Sequence, residues 1–291
     1  MGRRRKSGRS VNGVLLLNKP IGLTSNKVLQ KVRWMFDANR AGHTGALDPL
    51  ASGVLPLCFG EATKFSQYLL DSDKYYRSTY TFGIKTETGD SEGAVVGQQD
   101  ASTLSRQQVE EQIQNFVGEI DQVPSMFSAL KHNGQPLYKL ARQGIVVDRP
   151  ARRISIHEYQ ITDFRPGPNP QVDVQVHCSK GTYIRSLAED LGDALGCGAH
   201  VSALHRYKAG PFDEQQTVTQ FFLVPYFGAC LHMPPPPPNQ IILVNSPGGI
   251  QLQELYMPFW ILGELSTSIT ENDMATAAYS LRMAGIEAYT E

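Results

Sequence analysis

Residues 42–53 read Gly-His-Thr-Gly-Ala-Leu-Asp-Pro-Leu-Ala-Ser-Gly and form the densest group of conformationally special residues in the chain. The three glycines permit tight turns or the close approach of a ligand, and Pro49 stiffens the backbone after the acid. An aspartate in such a loop, here Asp48, can cap a turn, bind a metal, or act as a base or a nucleophile. No second acidic residue stands nearby in the sequence, which disfavours a hard-metal site. From the residues alone, a structural turn aspartate is the leading interpretation.

The flanking sequence predicts a mixture of strands and helices. Hydrophobic runs and alternation predict strands at 11–18, 75–83, 154–164 and 171–178. Apolar residues spaced three and four apart predict helices that begin at Thr24 or Ser25, at about Leu104 and at about Tyr183. Because no regular βαβ alternation is present, we predict an α+β fold with a mixed, mostly antiparallel sheet flanked by helices.

The composition is that of a globular protein without membrane spans. The chain has 291 residues, of which 41% are hydrophobic and 19% charged, so a packed core is expected. No apolar stretch approaches the roughly 20 residues that span a bilayer, and residues 1–10 form a basic arm without the apolar core of a secretory signal. The four cysteines are far apart, which argues against a zinc cage or a disulfide framework. We therefore expect a cytoplasmic protein.

The net charge of -1 hides an asymmetry. Residues 1–212 carry a balance of +6, whereas residues 213–291 carry -7. A basic body invites a polyanionic partner, although an excess of this size over 212 residues can also be an ordinary fluctuation.

Residues 121–153 form the most basic internal region. They are predicted to be irregular because they contain three prolines, and they have six basic residues against two acids. Aromatic residues are interleaved, as in surfaces that pair cations with phosphates and stack rings on bases. We interpret the region as a mobile segment that clamps RNA. The alternative is an ordinary solvent-exposed loop, which would have the same composition. The basic residues are Lys131, Lys139, Arg142, Arg149, Arg152 and Arg153.

The last seventy residues differ in amino-acid composition from the rest of the chain. Residues 234–238 are five consecutive prolines, which favour an extended left-handed helix and can join neither a sheet nor an α-helix. Only one arginine and no lysine occur beyond residue 212. We therefore end the well-specified domain near Phe221 and treat 222–291 as a proline-rich acidic tail.

Taken together, the motifs resemble those of the bacterial tRNA pseudouridine-55 synthase family, the TruB family. The similarity covers about 210 of the 291 residues in the expected order. It is carried by the 42–53 segment and by Gly-Val-Leu-Leu-Leu-Asn-Lys-Pro (13–20), Gly-Glu-Ala-Thr-Lys (60–64), Asp-Lys-Tyr-Tyr (73–76), Pro-Ser-Met-Phe-Ser-Ala-Leu-Lys (124–131), Cys-Ser-Lys-Gly-Thr-Tyr-Ile-Arg-Ser-Leu (178–187) and Gly-Cys-Gly-Ala-His (196–200), with Leu204 and Arg206.

The resemblance implies a pseudouridine-synthase fold over residues 11–221 and an isomerase that converts one uridine of the tRNA T-loop into pseudouridine. It implies tRNA as the partner and no metal or cofactor. The reaction involves no redox change, which is consistent with the lack of nucleotide-cofactor and metal motifs in the sequence. We expect a stand-alone monomer without a protein partner. The alternatives are an RNA chaperone that uses the same cleft without chemistry, and a member of the guide-RNA-dependent branch that works in a multiprotein particle.

The family's invariant aspartate falls on Asp48, as nucleophile or acid/base at the sugar–uracil junction. Tyr76 would stack on the flipped uracil, and its phenol is a candidate proton acceptor. Arg185 would make a bidentate pair with Asp48, orient it and keep it ionised.

Further residues are assigned to substrate binding. Tyr183 and Leu204 would line the uracil pocket, and Lys74 belongs to the same element as Tyr76. His43 would help to hold RNA bases out of their stack, and Lys131 lies in the predicted clamp. Asp90 matches a family position and receives only a supporting role.

Family members usually end in a small β-rich RNA-binding module, the PUA domain. The proline run and the scarcity of basic residues in 222–291 argue against that module. We expect this tail to lack a working PUA domain and to derive from a shifted reading frame or a replacement.

Overall fold

The structure is a computed structural model that describes residues 8–217 and, beyond them, only the strands at 243–245, 259–266 and 280–288. Within the described residues, the α-helices are α1 (Ser25–Met35), α2 (Ser66–Asp71), α3 (Arg106–Ile113), α4 (Leu137–Ala141) and α5 (Ile184–Ala194). Short 3-10 helices occupy Gly60–Phe65, Gln114–Phe116 and Glu214–Gln216.

Thirteen strands lie within residues 8–217. They are β1 (Gly13–Lys19), β2 (Ala41–His43), β3 (Ser52–Phe59), β4 (Lys74–Phe82), β5 (Ile84–Thr86), β6 (Val95–Gln98), β7 (Gly118–Gln122), β8 (Lys131–His132), β9 (Gln135–Pro136), β10 (Arg152–Arg165), β11 (Gln171–Cys178), β12 (Ala199–Ala209) and β13 (Phe212–Asp213).

Nine of these strands form one sheet, whose main order is β1-β3-β12-β4-β11-β10-β7. Strand β2 pairs with β3 at one side, and β13 pairs with β12. Strands β3 and β12 run parallel, with His205 opposite Ser52 and Arg206 opposite Gly53. The other pairings of this sheet are antiparallel. The predicted α+β fold with a mixed, mostly antiparallel sheet is confirmed.

Two helices show why the sequence folds as predicted at these places. Helix α1 begins after Thr24, whose side chain accepts a hydrogen bond from the backbone N–H of Lys27, and it buries Val28, Leu29 and Val32. Helix α5 buries Leu187 and Leu191, spaced one turn apart, in the same hydrophobic core as the sheet. Because α5 directly follows β11 and a short turn, its first residues lie at the end of the sheet.

Residues 121–153 are more structured than the sequence predicted. They contain the β8–β9 hairpin and helix α4, which places Leu137 in a buried position. Backbone hydrogen bonds from Leu137 to Leu130 (2.7 Å) and from Tyr138 to Ser128 (3.0 Å) close the hairpin onto the helix. The expectation of an irregular region holds for most of its length, but it missed the hairpin and the short helix, because elements of two to five residues leave no hydrophobic period to detect.

Beyond residue 217 the structure contains strands β14 (Leu243–Asn245), β15 (Phe259–Ser266) and β16 (Ser280–Ala288). They form a separate three-stranded sheet with β16 in the middle. The proline run at 234–238 lies outside the described residues. No helix in the described part of the chain is long and apolar enough to cross a bilayer.

Candidate active site

Asp48 lies in the loop between β2 and β3, and several contacts fix this loop. The Ser25 hydroxyl at the start of α1 donates to the carbonyl of Leu47 (3.1 Å) and accepts from its N–H (2.7 Å). The N–H of Ala51 donates to the carbonyl of Asp48 itself (3.0 Å), which closes a turn. The loop is therefore held from α1 and by its own backbone, and the Asp48 side chain keeps about a third of its surface exposed (37%).

Arg185, at the start of α5, is the cation that pairs with Asp48. Its Nε lies 2.9 Å from Asp48 Oδ2, while its Nη1 and Nη2 donate to the carbonyls of Thr88 (2.8 Å) and Phe127 (3.0 Å). The predicted pairing is confirmed, but the expected bidentate fork is wrong, because both terminal nitrogens already serve main-chain carbonyls. Arg185 is buried, so these contacts fix its orientation.

A second carboxylate, Asp90, shares the same guanidinium. Its Oδ2 lies 3.5 Å from Arg185 Nη1, and its Oδ1 accepts from the Thr88 hydroxyl (2.6 Å) and from the N–H of Glu92 (3.1 Å). Burial raises the pKa of the Asp48 carboxyl; Arg185 opposes this and the charge of Asp90 adds to it. The supporting role predicted for Asp90 is therefore electrostatic, because its charge raises the pKa of Asp48.

Lys19 is a site residue that the sequence did not identify. It is fully buried at the end of β1, and its Nζ donates to the carbonyls of Leu23 (2.6 Å) and Pro20 (2.8 Å) and lies 3.5 Å from the carbonyl of Pro49. Burial lowers the pKa of Lys19 to about 8, although the charge of Asp48 raises it. Lys19 thus ties the end of β1 to the residue that follows Asp48.

Asp48 and Arg185 line a cavity of about 260 Å³. Its walls also include Tyr76, Lys74, Tyr183, Leu204 and Arg206. Tyr76 is buried, and burial raises the pKa of its phenol while the nearby Arg206 opposes the rise. The hydroxyl is therefore neutral near pH 7, so it can donate a hydrogen bond while the ring remains available for stacking.

Arg206 is a second residue whose place the motifs did not reveal. It is buried in β12, where its Nε donates to the carbonyl of Val54 (2.8 Å) and its Nη2 to that of Gly45 (3.1 Å). It therefore holds the backbone on both sides of Asp48, at Gly45 and at Val54.

A family model described as "TruB family pseudouridylate synthase (N terminal domain)" matches residues 33–184, which include Asp48 and reach α5. The chain belongs to the TruB family of pseudouridylate synthases. A second model, "tRNA pseudouridylate synthase B C-terminal domain", matches residues 185–223, and a "Protein of unknown function (DUF3299)" model matches 209–288.

Curated TruB-family relatives are similar over most of the chain. The protein named tRNA pseudouridine synthase B of Saccharophagus degradans is 57% identical over 219 residues, which cover 75% of this chain and 70% of that protein. The namesake of Pseudomonas aeruginosa is 57% identical over 72% of this chain and 68% of its own length. That of Yersinia pestis is 54% identical over 75% and 66%.

Solved structures share the fold. A Cbf5-Nop10-Gar1 complex matches with a TM-score of 0.55 and 30% identity, over 71% of this chain and 52% of that chain. An H/ACA RNP bound to a substrate RNA containing 2'-deoxyuridine matches with a TM-score of 0.53 and 26% identity, over 75% and 57%. The chain therefore spans a little more than half of the length of these structural neighbours.

Six of the eight TruB-type residues named from the sequence line one cavity, namely Asp48, Tyr76, Arg185, Lys74, Tyr183 and Leu204. Lys74 is not a free cation there: its Nζ donates to the carbonyls of Leu69, Leu70 and Ser72 at the end of α2, and burial lowers its pKa to about 8. Its role in this geometry is to anchor the wall beside Tyr76 rather than to meet a phosphate.

The remaining two residues lie outside the cavity lining. His43 is on β2, where burial lowers its pKa and its Nδ1 is buried without a hydrogen-bond partner among the described residues. Lys131 is exposed on the β8–β9 hairpin. The roles of both residues in RNA binding stay predictions.

Proposed function

We propose that this protein converts uridine 55 in the T-loop of tRNA into pseudouridine. The observation that carries the proposal is the Asp48–Arg185 ion pair, which lies at a cavity that also includes Tyr76. The curated relatives of this family member are named for the same reaction on tRNA. The reaction is an isomerisation: the N1–C1′ bond of uridine breaks, the uracil turns, a C5–C1′ bond forms, C5 loses its proton and N1 gains one.

Asp48 is the group that acts on the nucleoside. As a carboxylate it can attack C6 of the base or C1′ of the sugar, or remove a proton on a route through a glycal. Arg185 fixes the orientation of the carboxylate through Nε and favours its charged form. The side chains of Tyr76 and Leu204 supply the flat and apolar surfaces against which a uracil ring packs.

The target base must leave its stack to reach this cavity. Extrusion costs a few kcal/mol in unstacking, so the protein has to bind the surrounding RNA. We assign this binding to residues 121–153. Their hairpin and short helix carry Lys131 and neighbouring basic side chains. His43 and the basic arm at 1–10 are the further contacts proposed for the T-stem-loop.

We further propose that the protein acts alone, as a monomer in the cytoplasm. The curated relatives at 54–57% sequence identity are named tRNA pseudouridine synthase B. The structural neighbours whose names describe multiprotein complexes are only 26–30% identical in sequence. This difference favours a stand-alone synthase over a guide-dependent enzyme. A tRNA-folding activity of the same cleft is compatible with it.

The test is the substitution Asp48→Asn, which removes the charge and keeps the shape. It should abolish tritium release from RNA labelled at C5 of uridine and the appearance of pseudouridine at position 55, while tRNA affinity stays close to that of the unchanged protein. Asp100→Asn, at an exposed aspartate outside the cavity lining, is the matched control and should be fully active. Activity of the Asp48 variant within tenfold of wild type, about 1.4 kcal/mol in the barrier, contradicts the assignment.

A further inference from the structure

Two histidines and an aspartate meet on the sheet outside the cavity. Asp73 directly precedes β4, His157 lies on β10 and His177 on β11, and these three strands are neighbours in the sheet. One potential ligand atom from each lies within 4.8 Å of the others. Asp73 Oδ2 is 3.3 Å from Nε2 of His177 and 3.4 Å from Nε2 of His157.

These distances fit a shared metal better than two strong ion pairs. A charge-assisted N–H···O contact is typically about 2.7–2.9 Å long. Two ligands bound to zinc at about 2.0–2.1 Å in a tetrahedral arrangement are separated by about 3.3 Å. The same oxygen lies at this separation from the Nε2 atoms of both imidazoles, which fits two edges of a tetrahedral coordination shell.

The surroundings hold the ligands in place. The ring of Tyr75 stacks on that of His177, with centroids 3.9 Å apart and an angle of 11° between the planes. The backbone carbonyl of Asp73 accepts from the N–H of Gly210 (2.9 Å), which fixes the chain just before β4. Among residues 8–217, the ionic partners of the Asp73 carboxylate are these two imidazoles. Lys208 lies over the ring of Tyr75 and forms no ion pair with Asp73.

We propose that Asp73, His157 and His177 bind a divalent transition-metal ion of the zinc class. Two imidazoles and one carboxylate suit Zn²⁺ and carry a single negative charge when the histidines are neutral. The side chains of Asp73 and His157 are 44% and 40% exposed, so an ion can enter and water can complete its coordination. The metal would join β4, β10 and β11, and β4 carries Tyr76 on into the cavity.

The test uses the full chain after treatment with a chelator. Equilibrium dialysis against Zn²⁺ should give one ion per chain, and Co²⁺ should produce the visible absorption of a tetrahedral centre. His157→Ala and Asp73→Asn should each weaken zinc binding at least tenfold, and zinc should raise the melting temperature of the unchanged protein but not of these variants. His132→Ala, which removes an exposed histidine from the β8–β9 hairpin, is the matched control for zinc binding, and it should bind zinc as tightly as the unchanged protein does.

Two results would overturn the proposal. One is a wild-type chain that takes up no stoichiometric zinc. The other is zinc uptake that persists in both variants, which would place the bound ion elsewhere on the chain. Because His157 and Asp73 are partly exposed, both variants should fold, and equal melting temperatures without metal verify this.

Discussion

At the scale of single residues, the hydroxyl of Tyr76 separates two roles. Tyr76→Phe keeps the ring and the shape of the cavity, so tRNA affinity should stay unchanged while single-turnover isomerisation falls about 10²-fold or more if the hydroxyl takes part in proton transfer. Tyr76→Leu should weaken both binding and rate, because the stacking surface is lost as well. The measurement is binding and single-turnover rate on one T-stem-loop, and a fully active Phe variant would restrict Tyr76 to stacking.

Asp90 gives a prediction about pH. Its negative charge contributes to the raised pKa of Asp48, so Asp90→Asn should lower that pKa. Because the carboxylate is the active form, the rate falls as Asp48 is protonated at low pH, and the variant should keep its activity to a lower pH than wild type. The check is the acid limb of the single-turnover rate, with Asp100→Asn as the control that leaves the limb in place. A limb that moves to higher pH would contradict the role of Asp90.

The sequence predicts the site residues that belong to recognisable motifs, but not those whose partners are main-chain carbonyls. Asp48 and Arg185 were predicted because both belong to recognisable motifs, although the residues alone favoured a turn aspartate. Lys19 and Arg206 were not assigned a role, since their partners are main-chain carbonyls of loops up to 161 residues away in sequence. A carbonyl carries no side-chain identity, so no residue pattern marks such a contact.

At the scale of elements, the sequence was most informative where alternation is strict. Strand β11 runs from Gln171 to Cys178, the range predicted from its alternating valines. Strands β3 and β12, at the middle of the sheet, were not predicted. β3 is buried almost throughout and β12 is interrupted by charged residues such as Arg206, so neither shows the simple period of a half-exposed strand.

The parallel pairing of these two strands depends on Gly53. This residue has φ +110°, and an added Cβ would lie 2.2 Å from the backbone carbonyl oxygen of Arg206. Gly53→Ala should therefore destabilise the protein by about 3 kcal/mol or more, through backbone strain and forced separation of β3 from β12. Chemical denaturation measures this, and Gly42→Ala, where a Cβ meets nothing within 4 Å, should cost far less. Equal losses in the two variants would remove the special status of Gly53.

At the scale of the whole molecule, the proposal is that the tail beyond Phe221 adds little to RNA binding. A chain that ends at Gln220 keeps Glu214, which anchors the 3-10 helix Glu214–Gln216 through Arg77 (2.9 Å) and His205 (2.8 Å). Such a chain should bind whole tRNA and an isolated T-stem-loop as the full chain does, at one fixed salt concentration. A loss of more than tenfold that is confined to whole tRNA, in a chain shown to be folded, would show that the tail contacts RNA.

The position of β12 has a consequence for synthesis. This strand lies between β3 and β4, so two strands made early are separated in the sheet by one made more than a hundred residues later. During translation, the edges of β3 and β4 that face β12 stay unpaired until Ala209 has emerged. Unpaired apolar strand edges promote aggregation. Arg206 arrives with the same strand. The cavity, which Leu204 and Arg206 line, is therefore incomplete in any chain that ends before residue 199.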